Sequence, residues 1–120
     1  DNMIARHKAA ARMARAGVKG MGLSLWANSE EICGSGATAV RAPAGVDEVK
    51  LRRHLYDKYR ITISGGFREL KGKLFRLGHM GPTANPAYVA MQLAMVEKSL
   101  HDIGYPVKLG SGVGAALEAI

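Results

Sequence analysis

The chain has 120 residues, 48% of them apolar, and a net charge of +7. That length fits one domain of modest size, and that apolar fraction supplies a core, which argues against a disordered chain. No apolar run approaches the ~20 residues of a membrane span, and the polar, basic opening DNMIARHKAA has no hydrophobic segment behind it, so no signal peptide is read. The single cysteine, Cys33, excludes an internal disulfide and fits a reducing, cytoplasmic setting. Asp1 rather than methionine opens the chain, as a piece of a longer polypeptide would. A basic balance admits a polyanion as partner, but aromatics are only 6% and do not interleave with the basic residues, which weighs against nucleic acid.

Residues 3–18 predict an amphipathic helix, with Met3, Ile4, Ala10, Ala11, Ala14 and Val18 on one stripe. Lys8, Arg12, Arg15 and Lys19 run along its flank, and Gly17 and Gly20 are read as its stop. MGLSLWA then predicts a strand, with Met21, Leu23 and Leu25 on one face and Ser24 and Trp26 on the other. A loop rich in turn formers follows at 28–37, and TAVRAP is a second strand ending at Pro43. AGVDEVKLRRHLYDKY reads as a helix capped by Asp47, with Leu51, Leu55 and Tyr59 one turn apart. RITIS is a third strand, GGFRELKG a glycine-bounded turn, and KLFRL a fourth strand.

The last helix has the sharpest boundaries: Asn85 can cap it, Pro86 takes its first position, and Gly104 ends it. Gln92 is the single polar residue of AYVAMQLAMV, so the helix is expected to be covered on more than one side. Val89, Leu93, Val96, Leu100 and Ile103 would face the sheet. Tyr88, Met91 and Met95 would then meet a second domain or subunit. Residues 106–120 are expected to form a loosely packed tail. The element order predicts an α+β sandwich over residues 1–105: a mainly antiparallel sheet of three or four strands with helices on one face.

Within KLFRL, alternation puts Phe75 and Leu77 on one face and Leu74 and Arg76 on the other. With helices over Phe75, Arg76 points away from the core. Its apolar neighbour Leu74 and the glycines at 65, 66, 72, 78 and 81 indicate a cleft that another backbone or a ligand can approach. A guanidinium offered to such a cleft suits a carboxylate, gripped by a bidentate fork.

The stretch GKLFRLGHMG, with the upstream GG and the downstream GYPVKLGSGV, resembles the C-terminal small domain of the class V, fold-type I aminotransferases. The likeness is to the alanine–glyoxylate, serine–glyoxylate and serine–pyruvate branch and runs along nearly the whole chain. It implies an enzyme that transfers an amino group from alanine or serine to a small 2-oxo acid, glyoxylate or pyruvate. It implies too that Arg76 binds the substrate carboxylate, with Gly65, Gly66 and Arg68 as further candidates. AGVKGMGLSLWANSE and GHMGPTANPAY further resemble the pyridoxamine–pyruvate aminotransferases of that branch, in which pyridoxamine is the amine donor. In their turn an arginine is expected directly after the second glycine, where this chain carries Phe67 and then Arg68.

The resemblance implies pyridoxal 5'-phosphate as cofactor and a homodimer with active sites between subunits. The family's cofactor lysine follows a serine by three positions, and no serine here has a lysine so placed. No catalytic, cofactor-binding or metal-binding residue is therefore assigned to this chain. The cofactor-binding large domain is expected outside it, and the chain alone is expected to be inactive. The other reading, from composition alone, is a stand-alone basic module that binds anions or nucleic acid without catalysis. Lys71 and Lys73, which could attract a phosphate, read as solvated. His7, His54, His79 and His101 show no metal-ligand spacing, and His79 reads as an ordinary loop histidine. GSGVG at 110–114 is set aside as a nucleotide loop because no full helix is expected after it.

Overall fold

The apolar alternation builds the sheet. The computed structural model describes residues 2–26, 36–66, 68–79 and 83–120. Strands β1 (Ala37–Arg41), β2 (Ser64–Gly65) and β3 (Leu74–Gly78) form an antiparallel sheet in the order β1-β3-β2. β3 pairs along its length with β1, from Ala37↔Gly78 to Arg41↔Leu74, whereas β2 adds only Ser64↔Arg76 and Gly65↔Phe75. Thr38, Val40, Phe75 and Leu77 are buried on the inner face, joined in the core by Leu51, Leu55, Leu93 and Leu100.

Two predicted strands shrink. MGLSLWA makes one bridge, Leu25↔Val40, flanked by hydrogen bonds from Trp26 N to Ala39 O and from Arg41 N to Ser24 O, both 2.9 Å. The preceding helix runs on to Gly20, and Gly22 turns the chain at φ +82°, so little of the segment is left to pair. Its alternation survives, with Met21 and Leu23 buried and Ser24 exposed. In RITIS, Arg60 takes the left-handed conformation that ends the helix before it (φ 58°), and only Ser64 goes on to pair. Ile61 and Ile63 still face the core. Most of the loop predicted at 28–37, with Cys33, lies outside the described residues, as does Phe67.

The helices are α1 (Asn2–Gly20), α2 (Glu48–Tyr59), α3 (Pro86–Asp102) and α4 (Ser111–Glu118). Both predicted caps form: Asp47 Oδ1 accepts from Val49 N at 3.0 Å, and Asn85 Oδ1 from Tyr88 N at 2.8 Å. Val89, Leu93, Val96 and Leu100 are buried as expected. Ile103, expected inward, lies beyond the last turn as the helix cap and is exposed, and Met91 is exposed as well. Met95 packs against the core.

Gly17 lies within α1 instead of ending it. A Cβ on Gly17 would stand 2.5 Å from Leu93 Cδ1, one on Gly20 2.6 Å from Ser111 O, and one on Gly112 2.6 Å from Met21 Cγ. The glycines thus let α1 run hard against α3 and α4, and their packing role overrides their weak helix propensity.

The expected loose tail is α4. Gly110 offers no side-chain cap, so the buried carboxylate of Glu97 reaches across from α3 and accepts from Gly110 N and, at 2.6 Å, from Gly112 N. A carboxylate there also faces the positive end of the helix dipole. At the other end of α4, Arg12 Nε donates to Ala119 O at 3.0 Å.

Asp102 joins α2 to α3. It accepts from Lys98 and from Tyr59 Oη (2.6 Å), with His54 Nε2 at 2.9 Å. Lys98, Tyr59 and His54, in that order, hold its carboxyl well below the usual carboxylate range. The bond to Asp102 in turn pushes the Tyr59 hydroxyl and the Lys98 ammonium up. No helix among the described residues is long and apolar enough to cross a membrane.

Candidate functional site

β3 is a buried central strand, so its outward side chains are held on a fixed backbone. Arg76 is half-buried on the outer face, in register between Ala39 of β1 and Ser64 of β2. Both neighbours carry small side chains. Leu74, on the same face, is almost fully buried, so this face is partly apolar, as the alternation implied. Arg41 stands opposite Leu74, its guanidinium 4.5 Å from the centre of the Trp26 ring, a cation–π contact. This second arginine was not singled out in the sequence, although the alternation of ATAVR places it outward with Ala39.

The glycine pair closes one side of the site. Gly65 pairs with Phe75 beside the Ser64–Arg76 pair, so it lies next to Arg76 along the sheet edge. Its Cα leaves room for the guanidinium of Arg52, which a Cβ would meet at 3.0 Å. Gly66 is tighter still, since a Cβ there would stand 2.4 Å from Leu70 O. Any side chain at Gly66 would have to displace backbone. Arg68 is exposed and left-handed (φ 54°) at the start of a short 3-10 turn, Arg68–Leu70. The fold therefore sets Gly65, with Gly66 after it, on the strand beside Arg76 and Arg68 in the adjoining turn.

His79 differs from its expected loop role. It is fully buried, shares a 2.8 Å hydrogen bond through Nε2 with Thr38 Oγ1, and donates from its backbone N to Gly36 O at 3.0 Å. It ties the end of β3 to β1. Glu48, which nothing in the sequence marked beyond its place in a helix, is 1% exposed and accepts from Arg52 Nε at 2.6 Å.

No described lysine is buried: Lys71 and Lys73 are exposed in a turn, and Lys98 is engaged with Asp102.

No family model matches the sequence. Over 116 residues the chain is 45% identical to the pyridoxamine–pyruvate transaminase of Mesorhizobium japonicum, covering 97% of this chain and 30% of that protein. It is 37% identical to the serine–glyoxylate aminotransferase of Arabidopsis thaliana, covering 97% of this chain and 29% of that protein. The crystal structure of pyridoxamine–pyruvate aminotransferase from Mesorhizobium loti matches with a TM-score of 0.92 at 44% identity, over 96% of this chain and 29% of that one. Ureidoglycine–glyoxylate aminotransferase from Bacillus subtilis matches with a TM-score of 0.90 at 30% identity, over 96% of this chain and 30% of that one.

The relatives of this chain include class V aminotransferases, and the chain corresponds to their C-terminal portion. They include pyridoxamine–pyruvate and serine–, aspartate– and alanine–glyoxylate aminotransferases, and the chain spans about 30% of the length of the curated relatives it matches.

Proposed function

We propose that the full polypeptide is a pyridoxal-phosphate-dependent aminotransferase whose amino acceptor is a small 2-oxo acid, and that Arg76 grips the carboxylate of its substrates. The observation that carries this reading is Arg76 itself: a guanidinium on the outer face of a buried strand, between Ala39 and Ser64. Its planar fork matches a carboxylate bidentately, and the rigid β3 backbone fixes the direction in which that carboxylate is presented. Holding the acid at one end orients the reacting carbon at the other, which lowers the entropic part of the barrier. Gly65 and Gly66 bound the site beside Arg76, and Arg68 lends positive charge to the approach. Pyridoxal phosphate, held by the remainder of the polypeptide, supplies the chemistry that exchanges the amino group.

The 45% identity to a pyridoxamine–pyruvate transaminase supports pyridoxamine as donor, and the 37% identity to a serine–glyoxylate enzyme supports serine. The reading includes residues 1–105 as the small domain of a cytoplasmic homodimer; the exposed Met91 supports cover by another chain.

Two measurements on the full-length protein test it. Absorption spectra recorded on adding pyridoxamine, serine or alanine identify the donor that converts the bound cofactor, and no cofactor band would refute the enzyme reading. Arg76→Ala removes two charge-assisted hydrogen bonds worth about 1.5–3 kcal/mol each, so kcat/KM for the 2-oxo acid should fall by roughly 10²-fold or more, with partial retention in Arg76→Lys. Wild-type kinetics in Arg76→Ala would overturn the assignment.

A further inference from the structure

β2 is only two residues long, Ser64 and Gly65, yet it supplies one of the two neighbours of Arg76. So short an edge strand, holding β3 through two register pairs, needs a second support to keep a fixed distance from Arg76. That support comes from beneath. Gly65 pairs with the inward-facing Phe75, so the side of Gly65 that lacks a Cβ faces inward too. There the guanidinium of Arg52 lies flat against it: Cζ, Nη2 and Nε all fall 3.0–3.1 Å from the position a Cβ would take.

Arg52 is itself clamped. Its Nε donates to Glu48 Oε2 at 2.6 Å, and its Nη2 lies 3.4 Å from Oε1. The Glu48 side chain is wholly buried, and that of Arg52 is 29% exposed. A carboxylate taken wholly out of water is a poor way to gain stability, because desolvation cancels most of the attraction; such pairs are better explained by the geometry they impose. Here Glu48 is fixed in the first turn of α2, close behind its Asp47 cap. The pair carries the position of that helix end to Gly65, and through Gly65 to the turn that holds Gly66 and Arg68.

We infer that Glu48 and Arg52 form a positioning clasp for the substrate-carboxylate site, holding the β2 edge and its glycine turn at the distance from Arg76 that a carboxylate requires. The inference rests on the reading of Arg76 given above. Neither residue touches the substrate: Arg52 acts through Gly65, and Glu48 acts through Arg52.

Removing Arg52 alone would strand a buried charge and endanger the fold. The informative variant is therefore the full-length protein carrying Glu48→Leu together with Arg52→Met, which removes both charges and keeps the bulk. It should fold, with a thermal midpoint at or above that of the parent. Its KM for the 2-oxo acid should rise about tenfold while kcat stays within about twofold, because a displaced wall weakens the grip without altering the chemistry. Arg52→Lys, which keeps the charge but not the flat guanidinium, should fall between parent and double variant. A folded double variant with unchanged KM overturns the clasp, as does a loss of activity that only tracks a smaller folded fraction. Arg76→Ala separates the two levels of inference. If it leaves KM unchanged, the carboxylate reading itself fails; if it raises KM and the double variant does not, the clasp alone fails.

Discussion

Glu97→Ala is the substitution whose consequences the structure defines most closely. The carboxylate is 3% exposed and accepts from Gly110 N and Gly112 N at the start of α4, a helix with no side-chain cap of its own. Each charge-assisted hydrogen bond contributes on the order of 1.5–3 kcal/mol, and the partly buried helix N-terminus adds up to about 1 more. Water can replace the bond at exposed Gly110 but not at buried Gly112, so a net loss of about 2–4 kcal/mol is expected in the local stability of α4. Glu97→Gln keeps an acceptor and should lose roughly half as much. Hydrogen exchange followed by mass spectrometry on peptides spanning residues 105–120 reads this quantity directly, because those amides exchange through opening of α4. At a factor of ten per ~1.4 kcal/mol, exchange should quicken by roughly 30-fold to several hundred-fold in the alanine variant. An increase below about threefold would show that α4 is held by its α1 contacts alone and would refute the capping argument.

The crossing of α1 with α4 gives a second expectation. Gly112→Ala places a methyl 2.6 Å from Met21 Cγ and 3.0 Å from Gly17 O, an overpacking that should lower stability by about 1–3 kcal/mol in chemical denaturation. The α2–α3 junction gives a third. Because its three donors depress the Asp102 carboxyl, the stability that group contributes is complete above the ordinary carboxylate pKa near 4 and is lost as pH falls below it. The gap in thermal midpoint between the parent and Asp102→Asn should therefore narrow as pH drops from about 6 to about 3. A gap that stays constant would mean that Asp102 holds the helices without its charge.

The parts legible in the sequence are those written in local chemistry. Asp47 and Asn85 announced their helices because a short acceptor side chain satisfies nearby amides wherever it stands. The outward face of Arg76 was legible because a period of two leaves no choice once Phe75 is committed to the core. The misreadings came from long-range effects. Gly17 looked like a stop signal because its reason for being glycine is a leucine 76 positions away, at 93. The segment from residue 111 looked like a loose tail because the cap that starts its helix comes from Glu97, across the chain. Nothing in the sequence marks Glu48 beyond its place in a helix, because its partner Arg52 meets Gly65 across the fold. The strand length of RITIS was overestimated for another reason: alternation reports which side chains face inward, and Ile61 and Ile63 do so without a ladder.

The seating of α4 against α1 bears on how the protein is made. Gly17 and Gly20 belong to the first helix of this chain, yet the backbone that packs on them, at Ser111 and Gly112, is translated about ninety residues later. The cap that organises it, Glu97, also arrives late. At a few to twenty residues per second, α1 waits several seconds with one side unmatched. The nascent chain therefore cannot close this part of its core in stages.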